Sequence, residues 1–296
     1  MTEKNYLALF AKSFNWAGFF LPKNIYYDCS KLYAFCRVLD DLVDEKISLE
    51  LRIERFNKIR HFFKKVYEQD DSNSALSDQY EHISIINEMI IILDNNSIKK
   101  IILDDLIEGV GSDLRTKVQL RSVKDLLIYS YRVAGTVGLM MAKILKVNDT
   151  RCLKGAIDLG IAMQLTNIAR DVIEDKKMNR HYIKSDFENI KATLKLADMF
   201  YESSFSSIKN IPLKYRFAII VARRVYRQIG RKIINKGNME NYEKSGKIYV
   251  NNFGKIFQTF LSLFDLMILF LKNIEPHQRK REHEIISEDI NLDERI

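Results

Sequence analysis

The stretches LDDLVDE (39–45) and RDVIEDK (170–176) decide how this chain reads. Each sets two aspartates four residues apart: Asp40 and Asp44, then Asp171 and Asp175. With about 3.6 residues per turn, such a pair projects from one side of a helix. Like charges at that spacing cost an isolated helix about 0.2–0.5 kcal/mol. The first cluster, thickened by Asp41, falls near the end of a helix predicted over 24–45, where the macrodipole already concentrates negative charge. A divalent cation relieves both penalties. Hard Mg²⁺ binds through one or two carboxylates together with substrate phosphates. A lone acidic pair reads more simply as a solvated helix face. Here Arg37 and Arg170 and several apolar residues surround the pairs, which favours a site.

Upstream of the second pair, Gln164, Asn167, Asp171 and Asp175 step by three, four and four residues and share one face of an otherwise apolar helix. Buried polar groups need partners. A polar cavity lined by this row, faced by the first acidic helix, is the expected arrangement.

The bulk properties agree with an all-α fold. In 296 residues there are only 3 prolines and 11 glycines, so few positions interrupt a helix. With 47% hydrophobic residues the chain can bury a large core in one domain, read here as residues 1–275. Residues 276–296 are mostly charged or polar and read as a mobile tail. The formal net charge of +8 suits nucleic acid, an anionic membrane or a phosphorylated substrate. The cations are dispersed and match no nucleic-acid motif, so no nucleic acid is expected. Cys29, Cys36 and Cys152 fit no metal or disulfide pattern and read as free thiols in a reducing compartment. No signal-peptide pattern opens the chain, which points to the cytoplasm. The apolar run Ile256–Leu271 carries Gln258, Thr259, Ser262 and Asp265, so it reads as a core helix, with lipid contact the lesser alternative.

Along the chain, Leu21-Pro22 closes an aromatic opening segment. Further helices are predicted over 49–69, 78–94, 97–118, 122–146, 150–177, 186–208, 212–236 and 249–274, with Pro276 ending the last. A polar loop is expected at Gln69–Ser74. Ser122 and Asp125 form an acidic variant of a capping box. Gly135 and Gly138 inside the 122–146 helix each cost about 1 kcal/mol against alanine. They mark either close helix packing or a bare strip for an apolar ligand.

Two such clusters on facing helices suit two or three Mg²⁺ ions around a diphosphate, neutralising it as a C–O bond breaks. Arginine grips diphosphate oxygens in bidentate fashion. Departure of diphosphate from an allylic carbon leaves a carbocation, which needs a dry, aromatic-lined cavity. No Walker loop, GxSxG, HExxH or Cys–His pattern competes.

Taken together, YAFCRVLDDLVDE (33–45), YSYRVAGTVGLMM (129–141) and QLTNIARDVIED (164–175) resemble the squalene/phytoene synthase family, most of all its bacterial phytoene synthases. KSF (12–14) and Leu21-Pro22 resemble the opening of the same family. The resemblance runs from about residue 12 to 260. It implies an isoprenoid-synthase helical bundle around a central cavity. It also implies head-to-head (1′-1) condensation of two geranylgeranyl diphosphates, through prephytoene diphosphate, to 15-cis-phytoene in carotenoid biosynthesis. Mg²⁺ or Mn²⁺ is the implied cofactor, and no NADPH is expected. By motif position, Asp40, Asp41, Asp44, Asn167, Asp171 and Asp175 would hold metal. Ser13, Arg37, Gln164, Arg170 and Tyr242 would meet diphosphate, and Tyr33 and Tyr129 would sit near the reacting carbons. Relatives often carry Arg-x-Tyr-Leu-Pro after the second cluster, where this chain reads Arg180-His181-Tyr182-Ile183-Lys184. Phe10-Ala11 replace the His-Ser of some relatives. The alternatives are a C30 enzyme of the family (presqualene diphosphate, dehydrosqualene or squalene synthase), a non-catalytic assembly factor of the same fold, and a head-to-tail synthase or cyclase. The Gln-x-x-Asn-x-x-Arg-Asp pattern argues against the last. A strongly apolar product adds the expectation of peripheral contact at the inner membrane face. Oligomeric state is not legible.

Overall fold

The computed structural model describes residues 6–68, 82–271, 277–278 and 280–296. The expected loop at Gln69–Ser74 and the stop at Pro276 lie outside the described residues. The first half comprises α1 (Tyr6–Phe10), α2 (Lys12–Gly18), α3 (Lys23–Asp44), α4 (Leu49–Glu68), α5 (Ile83–Asn95), α6 (Lys100–Gly111) and α7 (Val123–Ser130). A π turn, Tyr131–Gly135, joins α7 to α8 (Thr136–Ile144). Then come α9 (Thr150–Lys177), α10 (Phe187–Ser207), α11 (Leu213–Ile234), α12 (Met239–Lys244), α13 (Asn252–Leu271), α14 (Arg281–Ser287) and α15 (Leu292–Arg295). The only strands among the described residues, β1 (Val118–Gln119) and β2 (Arg180–His181), pair in parallel. The fold is all-α.

The bundle is built around α9. Its 28 residues span about 42 Å at 1.5 Å per residue. Apolar residues surround its N-terminal two-thirds, including Ile157, Ile161, Leu165 and Ile168, so it is enclosed by α8, α10 and α11. Asp149 caps its start, the carboxylate accepting from the Cys152 amide at 2.8 Å. The reciprocal Ser122/Asp125 box forms at α7 as expected, with bonds of 3.0 and 3.1 Å.

Close packing explains Gly138. A Cβ there would stand 2.2 Å from the Ala156 carbonyl oxygen, and one at Gly160 would stand 2.1 Å from that of Ala134. The backbones of α8, the π turn and α9 therefore nearly touch, and no ligand strip lies along Gly138.

Two expectations are corrected. The predicted helix over 97–118 stops at Gly111, where an added Cβ would meet the Phe56 ring and the Arg60 guanidinium, both at 2.9 Å. The chain then turns through Asp113 into β1. The run Ile256–Leu271 is not a core helix. On α13 the apolar side chains Phe257, Phe260, Phe264 and Phe270 are exposed, while Lys255, Gln258, Ser262 and Asp265 are buried.

The C-terminal residues are also better anchored than a mobile tail. The His283 ring nitrogen Nδ1 accepts from the Lys280 amide at 2.8 Å, which leaves Nε2–H to donate to buried Asp158 at 2.9 Å. His277 meets the other Asp158 oxygen at 2.8 Å. Arg295 grips Asp105 of α6 through two bonds of 2.6 and 3.1 Å. Buried carboxylates on α6 and α9 hold these residues down.

Candidate active site

The last two turns of α3 present Asp40, Asp41 and Asp44. The C-terminal half of α9 presents Gln164, Asn167, Asp171 and Asp175, all half-buried and on one face. Between these two helices lie Asp113 and Arg180. The Arg180 guanidinium donates to Asp44 Oδ1 at 2.5 Å and exerts its charge on Asp175 as well. Asp113 acts electrostatically on both Asp40 and Asp175. Asp40 and Asp44 of one cluster and Asp175 of the other therefore share charged neighbours.

Asp40 keeps contact with water on α3, and Asp44, Arg37, Asp113 and Asp41 are its charged neighbours. Desolvation first, and the neighbouring Asp44 second, push the Asp40 carboxyl up to about 7. Burial and then Asp171 push Asp175 up to about 7 as well. Their partners are charge-paired. Arg170 takes Asp171 through Nε and Nη2 at 2.9 and 2.5 Å, and Lys247 approaches the same carboxylate at 3.3 Å. Arg37 pairs with Asp41 at 2.5 Å, one helical turn on.

The donor set fits a hard divalent cation. It consists of carboxylates, two of them raised to about 7 by burial first and by neighbouring carboxylates second, beside a buried Asn167 Oδ1 that accepts no hydrogen bond from the described residues. Gln164 Oε1 is 3.4 Å from the Asn167 amide nitrogen, which orients Asn167 with its oxygen toward the cluster side of the row.

The aromatic positions divide. Tyr33 is half-buried on α3, and its hydroxyl is held protonated by burial, with Tyr226 and Asp40 as neighbours. Tyr129 stacks on Tyr182 with ring centroids 4.8 Å apart. Both hydroxyls reach Asp113 Oδ2, at 2.8 and 2.6 Å. Ser13 is half-buried on α2 beside Phe14, whose ring lies 4.8 Å from that of Tyr226. Tyr226 in turn acts on Arg170. Tyr242 does not join the open site. It is 3% exposed, and its hydroxyl donates to the carbonyls of Ala169 and Arg170 at 3.1 and 2.7 Å. It fixes the backbone of α9 beneath the second cluster.

Two residues at the centre were not assigned a role from sequence. Asp113 follows the Gly111-Ser112 break, a helix-stop signal that could have placed it on a loop. Arg180 was visible in Arg-x-Tyr, but its position depends on strand pairing. Val118 is the register partner of Arg180, and the Val118 amide donates to the Asn179 carbonyl at 3.1 Å. This pairing fixes the path of the segment after Asp175, where the chain departs from Arg-x-Tyr-Leu-Pro.

The comparisons with known proteins bear on this arrangement. The model of the Squalene/phytoene synthase family matches residues 7–187. A 15-cis-phytoene synthase of Paracoccus sp. (strain N81106 / MBIC 01143) is 32% identical over 252 residues, covering 79% of this chain and 81% of that protein. The 15-cis-phytoene synthase of Pantoea ananas is 28% identical over 260 residues, covering 78% and 81% respectively. Among solved structures, a dehydrosqualene synthase in complex with ligand superposes with a TM-score of 0.68 at 25% identity, over 88% of this chain and 94% of that one. A squalene synthase from Alicyclobacillus acidocaldarius shares the fold, with a TM-score of 0.62 at 16% identity. On this evidence, with both acidic clusters in place, the chain belongs to the squalene/phytoene synthase family and is a prenyltransferase-type synthase.

Proposed function

We propose that this protein is a divalent-metal-dependent 15-cis-phytoene synthase that joins two geranylgeranyl diphosphates head to head and releases diphosphate. The observation that carries the reading is that Asp40 and Asp44 from one cluster and Asp175 from the other share Arg180 or Asp113 as a charged neighbour. Relatives named 15-cis-phytoene synthase, at 28–32% identity, support the C20 substrate.

In this reading Asp40, Asp44, Asn167, Asp171 and Asp175 hold Mg²⁺ or Mn²⁺, with Asp41 in the same cluster. Bound there, the ions supply Lewis-acid stabilisation of the departing diphosphate. The protein's own groups do the rest. Arg37 and Arg170, each paired with an aspartate of its own cluster, would grip diphosphate oxygens in bidentate fashion. Gln164 and Ser13 add neutral polar contacts. Tyr33 would offer the reacting carbons a ring that stabilises positive charge, and burial keeps its hydroxyl protonated. Tyr129 is held rigid by Tyr182 and Asp113, so its ring stays in place as a carbocation forms. Neither tyrosine is required to ionise.

The dehydrosqualene synthase fold match favours a second reading, a C30 product from two C15 diphosphates. One assay separates them: product analysis with C15 and C20 prenyl diphosphates, each with and without NADPH. A C40 hydrocarbon from the C20 substrate without NADPH is the expected result. A C30 product alone would replace the reading with its neighbour. No diphosphate release from either substrate would overturn both.

A further inference from the structure

Helix α13 is inside out. Its inward side carries Lys255, Gln258, Ser262 and Asp265, each buried. Its outward side carries Phe253, Ile256, Phe257, Phe260, Phe264 and Phe270, each more than half exposed or at that limit. Burying polar groups while exposing apolar ones is costly in water. The inward side is properly bonded, so the orientation is fixed. Arg224 clamps Asp265 with two bonds of 2.6 Å, and Lys255 donates to the Lys12 carbonyl at 3.3 Å.

The apolar surface continues beyond α13. Trp16 of α2 donates its indole N–H to Thr259 at 2.9 Å. Phe19, 72% exposed, meets the Trp16 ring edge-on at 6.4 Å. At the other end of α13, the Arg216 guanidinium lies 5.3 Å from the centre of the Phe270 ring. Cations border both ends. Lys12 and Lys232 lie toward the start of the helix, the latter 3.2 Å from the carbonyl of exposed Tyr249. Lys209 and Lys214 are exposed near its end, where the Ile208–Asn210 turn touches α13. No carboxylate stands among the exposed residues of α13.

We propose that the outward face of α13, extended by Phe19, lies in the headgroup boundary of an anionic bilayer. An apolar stripe flanked by lysine and arginine is the pattern that binds such a surface. Twenty residues of this composition are long enough to cross a membrane, but the bonded polar side holds the helix flat against the bundle. Two-fold pairing with a second copy would set cationic rims against one another, which disfavours a dimer through this face. The position also suits the chemistry, in a point that rests on the function proposed above. Helices α2 and α11 stand between α13 and the candidate site, meeting in the Phe14–Tyr226 contact beside Arg170. A prenyl chain drawn from lipid would have little water to cross.

Flotation of the full chain with phosphatidylcholine vesicles, with and without phosphatidylglycerol, tests this. The protein is expected to float with the anionic vesicles and about tenfold less with the neutral ones. The double variant F260E/F264E is expected to lose about a hundredfold in partitioning, while keeping its melting temperature and its turnover of detergent-dispersed substrate. Should that variant fail to fold, Phe260→Trp gives a second readout: indole fluorescence quenched by brominated lipid in the anionic vesicles. Equal partitioning of wild type and variant, or an unquenched indole, would overturn the proposal. So would a solution dimer that F260E/F264E dissociates while vesicle binding stays unchanged. Vesicle binding without turnover of any prenyl diphosphate would refute the proposed function and leave the docking surface standing.

Discussion

The two acidic clusters share a spacing but solve their repulsion in opposite senses. On α3 the C-terminal member, Asp44, is paired to Arg180, and Asp40, a turn earlier, is left near neutrality. On α9 the N-terminal member, Asp171, is paired to Arg170 and Lys247, and Asp175, a turn later, is left near neutrality. Each helix therefore satisfies one carboxylate and frustrates the other. The two frustrated groups share the influence of Asp113. A protein selected for stability alone would not retain them, so they mark where an external cation belongs.

Removing the frustrated carboxylates should have the largest effect. Asp40→Asn and Asp175→Asn are expected to lower Mg²⁺-dependent diphosphate release by about a thousandfold each, several kcal/mol of transition-state stabilisation. The same substitutions should raise the melting temperature of the metal-free protein at pH 8. Activity within tenfold of wild type would show that the asymmetry between paired and unpaired aspartates carries no function.

Arg180 tests the bridge between the clusters. Arg180→Ala leaves Asp44 without its 2.5 Å partner and should cost about a hundredfold in turnover. Arg180→Lys should recover part of that, because it restores charge without the planar fork.

Acidity tests the frustrated pair without mutation. Both folded-state values are raised, from 3.8 to about 7. Between those limits the folded chain keeps protons that the unfolded chain releases, so stability falls as pH rises through this window. Metal-free protein should therefore melt at progressively lower temperature as pH rises from 3.8 to about 7 through these groups. Adding Mg²⁺ should reverse the trend at the alkaline end, and calorimetry with and without chelator reads both. No metal-dependent shift at any pH would count against a cation site.

Tyr242 gives the smallest effect and sharpens the boundary of the site. Tyr242→Phe should cost about 1 kcal/mol of stability, the worth of one buried hydrogen bond. Its kcat and KM should stay within about twofold of wild type, since a lost backbone bond beneath the cluster leaves its carboxylates in place. A large rise in KM would return Tyr242 to the substrate.

Much of this was legible in local sequence. The limits of α3, α10 and α11 fall within two residues of those predicted from proline, capping and apolar periodicity. Spacing put Asp40 with Asp44, and Asp171 with Asp175, on one side of a helix each, because spacing within a helix fixes direction; their role came from the family motifs. What was missed depends on distant contacts. Asp113 was absorbed into a helix run on to 118, although the chain turns where Gly111 presses on Phe56. Arg180 is aimed by a strand partner 62 positions earlier, which no local rule supplies. For α13, the polar residues within the apolar run read as a core helix and did not tell which side points outward. That sign is set by Arg224 and Trp16 on other helices.

The anchoring of the C-terminal segment has a consequence for how the molecule is made. Asp158 waits for histidines 119 and 125 residues downstream, and Asp105 waits for an arginine 190 residues downstream. Until those partners leave the ribosome, sealing α6 and α9 into the interior would bury bare negative charge. Final closure of these helices is thereby deferred until residues 277–295 have been made, and a chain cut short before residue 277 would expose its fault as loosely packed helices rather than a missing catalytic group.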